Sequence, residues 1–339
     1  MPGSDVDMIA ASRPFLEGLL RRRTRELPNV TVLRARVTGL DCDGGAVTGV
    51  RHETATGPAT TPADFVVDAT GRASRLGDWL EREGWQRPPQ RRLTIDLHYA
   101  TATFRRTEEN PVPNAVLAGF SPGNGGDVAG AAFSAVEDGR WIVMLGGYGD
   151  TRPGRDGDDL IRRCRKDFPP EFARVVDNEL LGPVRTYHQA DSRRRDFHRL
   201  GRLPGGLVAV GDAVSSFNPI YGQGMSSAAL HASCLSEYLR SGADPRRHAR
   251  EFFARQRIVV DAAWGMSTSA DLARPSVAGP RPRGFRVSRW VSDQIVAASV
   301  TDPAVARRFD AVVEMRSHPN SLARPGTLLR AWRVNRSRA

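Results

Sequence analysis

Apolar residues recur at two different spacings along the chain, and the switch between them divides it. Phe15, Leu16, Leu19 and Leu20 form a stripe at helical spacing. Ser12 ahead of them is a good N-cap and Pro14 is tolerated in a first turn, so a helix is predicted to about Leu27. "NVTVL" and "RVTGLDC" read as strands, and "DGGA" supplies the glycines for a tight hairpin into "VTGVRHE". After a loop rich in Pro, Thr and Gly, "ADFVVDATGRASRL" reads as a short buried strand over 65–67. Asp68 stands at its end, and a helix begins near Ser74.

From about residue 90 to 148 the period becomes two. "TIDLHYATATF" alternates, "GAAFSAV" and "WIVMLGGY" are further β-rich runs, and the turns "SPGNGGD" and "EDGR" separate them. "DGDDLIRRCRKDF" is helical, and "VRTYHQADSRRRDF" leads back to an apolar run over 207–210. Beyond 240 the pattern is helical, interrupted at Pro275, Pro280 and Pro282. No internal repeat is present. The predicted fold is α/β: a nucleotide-binding domain (1–88 and 186–240), an inserted antiparallel-sheet substrate domain (89–185), and a helical C-terminal region (241–339).

Composition narrows the function. Hydrophobic content of 40% and charged content of 26% over 339 residues are those of a globular protein with a real core. No apolar stretch approaches the roughly 20 residues needed to cross a bilayer, and the start lacks a basic region followed by an apolar one. Cys42, Cys164 and Cys234 are isolated, so they read as reduced thiols of a cytoplasmic protein. The net charge of +11 raises a nucleic-acid reading, but Lys166 is the only lysine and the arginines are scattered. No nucleic-acid partner is expected. The histidines, His98, His188 and His198 among them, are dispersed, so no metal site is expected either. No GxSxG elbow appears, and Trp141 reads as core. Tyr99, His98 and Tyr148 are candidates for lining a pocket.

The informative stretch is "GLVAVGDAVSSFNPIYGQGMSSAALHA", residues 206–232. An aspartate at the end of a parallel strand sits where open α/β sheets bind ligands, and the Asp212 carboxylate can accept from ribose or ribityl hydroxyls. Gly224 opens a helix whose free N–H groups favour negative charge, such as that of a reduced flavin ring.

"GDAVSSFNPIYGQGM" resembles the second flavin-contact motif of the FAD-dependent (class A flavoprotein) monooxygenase family, of the p-hydroxybenzoate hydroxylase fold. It departs from the pattern at Ser215, where histidine is common, and at Ser226, where asparagine is common. "SRPFLEGLLRRR" resembles the family helix whose arginine, here Arg13, contacts FAD. "NVTVLRARVTGL" resembles the following strands, implying a backbone contact to adenine at Val37. "ADFVVDATGRASRL" resembles the middle motif, with Thr70-Gly71 in place of Asp-Gly; Asp68 either serves that motif or caps the helix that follows. The resemblance implies FAD as cofactor, with Asp212 on the ribityl chain, Pro219 walling the ring, and Gly222, Gly224, Met225 and Ser226 forming the loop and helix start at its pyrimidine end. It implies NAD(P)H as reductant and molecular oxygen as co-substrate. A flavin hydroperoxide then hydroxylates or epoxidises a small organic molecule, and no protein side chain is assigned as catalytic. The alternatives are a flavin-linked reductase of isoprenoid double bonds and an inactive remnant. The GxGxxG βαβ unit of the family is absent from the chain. The chain therefore reads as the downstream portion of such an enzyme, an incomplete Rossmann-like domain, with exposed apolar faces and weak or no FAD retention.

Overall fold

A computed structural model describes residues 10–107, 111–120 and 127–337. Helix α1 (Arg13–Arg25) starts as its sequence dictates: Ser12 Oγ accepts from the Phe15 N–H, and Pro14 lies in the first turn. Ser12 also donates through its N–H and hydroxyl to Glu137, which fixes the helix start against a distant turn. No residue of α1 is buried, and Phe15 and Leu20 face solvent. The strand expected at "NVTVL" is not formed, and Val32 and Leu33 are exposed. An extended segment needs a neighbour for its backbone groups, and among the described residues none pairs with it.

Strands β1 (Arg36–Asp43), β2 (Ala46–Thr54) and β3 (Gly57–Pro62) form an antiparallel sheet in that order. Gly44 and Gly45, both at positive φ, make the predicted hairpin between the first two. The stretch expected as a Pro/Thr/Gly loop is instead β3, an edge strand, where Pro58 and Pro62 are tolerated. Strand β4 (Val66–Asp68) follows. It is not the buried strand expected, because Val67 is 38% exposed. Ser74 Oγ then accepts from the Leu76 N–H, so helix α2 (Leu76–Arg82) starts two residues later than predicted.

Strands β5 (Gln90–Arg105), β6 (Ala115–Phe120), β7 (Ala129–Val136) and β8 (Arg140–Gly147) build most of a large antiparallel sheet. Asp138 and Gly139, both at positive φ, turn β7 into β8 as "EDGR" predicts. Of the other predicted turn, residues 121–126 lie outside the described residues. Helices α3 (Gly157–Asp167) and α4 (Pro170–Val176) pack Phe172, Cys164 and Leu160 against Phe104, Phe133 and Trp141 of the sheet. Trp141 is core, as expected. Strand β9 (Arg185–Arg195) pairs along β5 for most of its length, so the sheet crosses the boundary expected at 186. Strand β10 (Leu207–Ala209) pairs in parallel with β4, and β11 (Ser215–Ser216) adds to β9, giving the order β11-β9-β5-β8-β7-β6.

Helices α5 (Gly224–Arg240) and α6 (Arg250–Asp271) pack over β10 through Tyr238, Phe252 and Phe253. Helices α7 (Phe285–Ser299), α8 (Pro303–Val313) and α9 (Pro325–Arg336) form a small cluster of their own around Ile295 and Ala331. Pro275, Pro280 and Pro282 fall between α6 and α7, where the sequence places the break. Among the described residues, no helix is long and apolar enough to cross a membrane.

Candidate functional site

Strand β10 delivers a polar tip to the start of α5. Gln256 of α6 donates to the Ala209 carbonyl (2.8 Å), and the Val210 N–H donates to the Asp68 carbonyl (2.9 Å), so the strand end is held from both sides. Gly211 then turns at φ +57, a conformation that favours glycine. Its N–H donates to His231 Nδ1 at 2.9 Å. A side chain added at Gly211 would meet Ala228 at 3.7 Å, so the tip lies directly on the first turns of α5. His231 is fully buried, and burial depresses its imidazole to about 4, which keeps Nδ1 free to accept.

Asp212 is exposed at this tip and makes no hydrogen bond among the described residues. Partial desolvation raises its carboxyl above the usual range, while the charges of Arg13 and Arg72 pull it back. Arg13, ion-paired with Glu17 at 2.7 Å, thus shares the field of Asp212 although the two are 199 positions apart in sequence. Val37 lies elsewhere, on β1 opposite His52, with its side chain partly exposed.

The helix start is open. Gly222 closes its loop at φ +69, Pro219 is exposed, and no atom stands within 4 Å of where a Gly224 side chain would begin. The Ser227 N–H donates to the Gln223 carbonyl. The N–H groups of Gly224, Met225 and Ser226 precede the first N–H donor of the helix, so they have no partner within it. Met225 is 62% exposed beside them. A carboxylate with no hydrogen-bond partner among the described residues, at Asp212, and a helix start with free N–H groups, at Gly224, Met225 and Ser226, thus belong to one strand-loop-helix whose strand tip rests on the helix at Ala228 and His231.

An arginine clamp joins this tip to the turn after β4. Arg195, buried, donates to the carbonyls of Ala213 (2.8 Å) and Arg72 (3.1 Å). Arg72 in turn donates to the Asp191 carbonyl (2.8 Å) and Ser216 Oγ (3.2 Å) and is ion-paired with the Asp191 carboxylate. Burial works to raise Asp191, but hydrogen bonds from Arg193, Arg92 and Arg72 outweigh it and hold the carboxyl at about 2. Asp68 faces inward, accepting from the Thr70 N–H (3.0 Å) and from the hydroxyls of Thr70 and Ser74. It thereby ties the 68–74 turn together, and it accepts nothing from the backbone of α2.

On the other side of the 218–222 loop lies a buried polar network. Asn218 Nδ2 donates to Tyr148 Oη (2.8 Å) and Asp271 Oδ1 (2.6 Å), and Tyr221 donates to the same Asp271 oxygen (2.8 Å). Arg274 lies over the Tyr148 ring at 4.3 Å. Burial raises Asp271 against the pull of these donors and of Arg274, and pushes Tyr148 up to about 12. Tyr99 Oη and Asp271 Oδ2 are buried with no protein partner. Tyr99 and Tyr148 share one buried cluster. His98 does not join them: successive strand residues face opposite ways, and its ring stacks on His188 across β5 and β9 instead. The two histidines, dispersed in sequence, are register partners in the sheet.

His231, Arg195, Arg72, Asn218 and Asp271 were not singled out from sequence. His231 had a signal: it follows Gly224 by seven residues, two helical turns, and so shares its face. "DSRRR" had another, since Asp191, Arg193 and Arg195 at spacing two share one face of a strand.

Residues 5–249 match the FAD binding domain family. The chain belongs to that family. Protein Rv3254 of Mycobacterium tuberculosis is 32% identical over 316 residues, 88% of this chain and 65% of that protein; the chain thus spans about two thirds of its relative's length. The fold is that of p-nitrophenol 4-monooxygenase PnpA from Pseudomonas putida (TM-score 0.60, 19% identity, 90% of this chain and 72% of that one). It is equally that of the flavin-dependent brominase Bmp2 (TM-score 0.62, 16% identity, 97% and 76%). The site fits the cofactor of the FAD binding domain family: an uncommitted carboxylate on a strand tip, glycines that leave space, and a helix start with unpaired N–H groups.

Proposed function

We propose that the protein acts as an FAD-dependent monooxygenase on a small organic molecule. The observation that carries this is the hydrogen bond from the Gly211 N–H to His231, which ties the strand tip bearing Asp212 to α5. Asp212 would accept from a ribityl hydroxyl, and the Met225 and Ser226 N–H groups would meet the pyrimidine edge of the ring, with Pro219 against its face. Arg13 and Val37 belong to the adenosine half of the same reading. Bound flavin would supply the redox chemistry, drawing electrons from NAD(P)H and activating molecular oxygen. On this reading the substrate would bind near the buried, unpartnered Tyr99 Oη and Asp271 Oδ2, which would orient one of its polar groups, with Leu97 and Ile220 beside them keeping water out. The same reading divides the chain into a cofactor domain (1–88 and 186–240), a substrate domain (89–185) and a C-terminal helical region (241–339), with β9 of the large sheet running across the boundary at 186.

The test is a titration of FAD into the purified chain followed by flavin fluorescence, with Asp212→Ala alongside. Saturable binding weakened about tenfold by the substitution supports the reading, a loss of about 1.4 kcal/mol. Equal affinity for both proteins contradicts it. Oxygen uptake with NADPH by the flavin-loaded protein supports the monooxygenase, whereas anaerobic reduction of an alkene without oxygen uptake supports the reductase.

A further inference from the structure

The stacked pair of histidines has a third member. Asp96 Oδ1 stands 2.8 Å from His188 Nε2 and 3.4 Å from His98 Nε2, and one ligand atom from each of the three residues lies within 4.8 Å of the others. The rings of His98 and His188 are nearly parallel, with centroids 4.4 Å apart. We propose that Asp96, His98 and His188 form a binding site for a divalent cation of borderline softness, with Zn²⁺ the best fit.

Three features of the sheet bring these donors together. His98 and His188 are opposite one another in the β5–β9 ladder, so their side chains leave the same face at neighbouring positions. The ladder is irregular between Thr94 and Leu97, and Asp96 within that bulge adopts φ +49, rare for a residue with a side chain. The bulge turns the carboxylate toward the two rings instead of into the regular pleat. Arg152 is ion-paired with the other carboxylate oxygen, Oδ2. That contact leaves Oδ1 directed at both imidazoles and orients it, as outer hydrogen bonds do around metal-ligating carboxylates.

The separations suit a metal. Donors at about 2.1 Å from one ion stand about 3.0–3.4 Å apart in octahedral or tetrahedral geometry, so the rings need only tilt apart to share an ion. Two imidazoles and one carboxylate select zinc, nickel, cobalt or copper over magnesium or calcium, and three protein ligands leave at least one position for water. All three residues are partly exposed, so an ion reaches them without opening the core. The site is on the face of the sheet opposite Tyr99 and the 218–222 loop, apart from the flavin cradle. An ion there would tie β5 to β9 at the bulge.

Untagged protein titrated with ZnCl₂ in a calorimeter, and with CoCl₂ by visible absorption, tests this. One equivalent is expected to bind, with Co²⁺ bands showing nitrogen ligation and a Tm raised by Zn²⁺. Asp96→Asn and the double variant His98→Ala/His188→Ala are expected to lose affinity by more than roughly tenfold, and the double variant to lose the Tm increment. Circular dichroism confirms that each variant folds, and the conservative Asp96→Asn keeps the test decisive if the double variant does not. Stoichiometric binding unchanged in Asp96→Asn, or no binding up to millimolar metal, would overturn the proposal.

Discussion

The six-stranded sheet and the β4/β10 pair differ in how completely their apolar residues are covered. In the first, β5 and β8 are each paired on both sides, and Phe104, Phe133 and Phe172 are sealed between the sheet and α3 and α4. In the second, two three-residue strands pair only with each other, Val67 is partly in water, and α1 buries nothing. Val32 and Leu33 extend that exposed surface. Parallel strands are ordinarily covered on both faces. The contrast therefore separates a sheet sealed along its length from a strand pair in which β10 is buried against α5 and α6 while β4 is partly exposed, and to whose packing polar ties are added. Those ties are Gln256 to Ala209, Gly211 to His231, and the Arg195 clamp.

The sharpest way to break this comparison is to empty the packed region. Phe172→Ala is expected to cost about 3–5 kcal/mol in urea unfolding, because it leaves a cavity between the rings of Phe133 and Phe168. A loss under about 1 kcal/mol would mean that the two regions are not different in kind.

The polar ties are probed by pH. The His231 imidazole is held down to about 4 when folded, against about 6.5 unfolded, so its contribution is fully present above 6.5 and is lost as pH falls through 4. The full swing is on the order of 3 kcal/mol. His231→Asn, which can keep an acceptor for the Gly211 N–H, is expected to flatten the stability profile across that window. An unchanged slope would remove His231 from the account. Asp191 acts further down in pH: its carboxyl is depressed to about 2, so the stability it contributes persists above about 4 and disappears toward 2. Asp191→Asn should remove that acid-limb dependence in a denaturation series. The smallest effect belongs to the exposed region. Val67→Ala is expected to change stability by less than about 1 kcal/mol, and Leu33→Asp to reduce aggregation in light scattering without lowering Tm.

Much of this was legible in the sequence because it rests on local rules. The Ser12 cap, the Gly44-Gly45 and Asp138-Gly139 turns, the alternation of β5 and the proline breaks before α7 all follow from neighbours in the chain. The strand, turn and helix that carry the proposed cradle were legible for the same reason, since Gly211-Asp212 and Gly224 are close in sequence. What escaped depends on partners far away. "NVTVL" has strand composition but no neighbour to pair with, and β3 became a strand only because β2 offered an edge. His98 and Tyr99 are adjacent in sequence yet face opposite sides of a sheet, so only the register reveals that His98 meets His188. Arg195 and Arg72 are 123 positions apart, and only the folded chain brings their shared turn together.

Hydrogen exchange with and without FAD is the most direct measurement of the central claim. Protection on adding the cofactor is predicted at the amides of 211–213 and 224–226, the two arms joined through His231, while β6 and β7 stay unchanged. Protection confined to other segments, with both arms exchanging as fast as before, would contradict it.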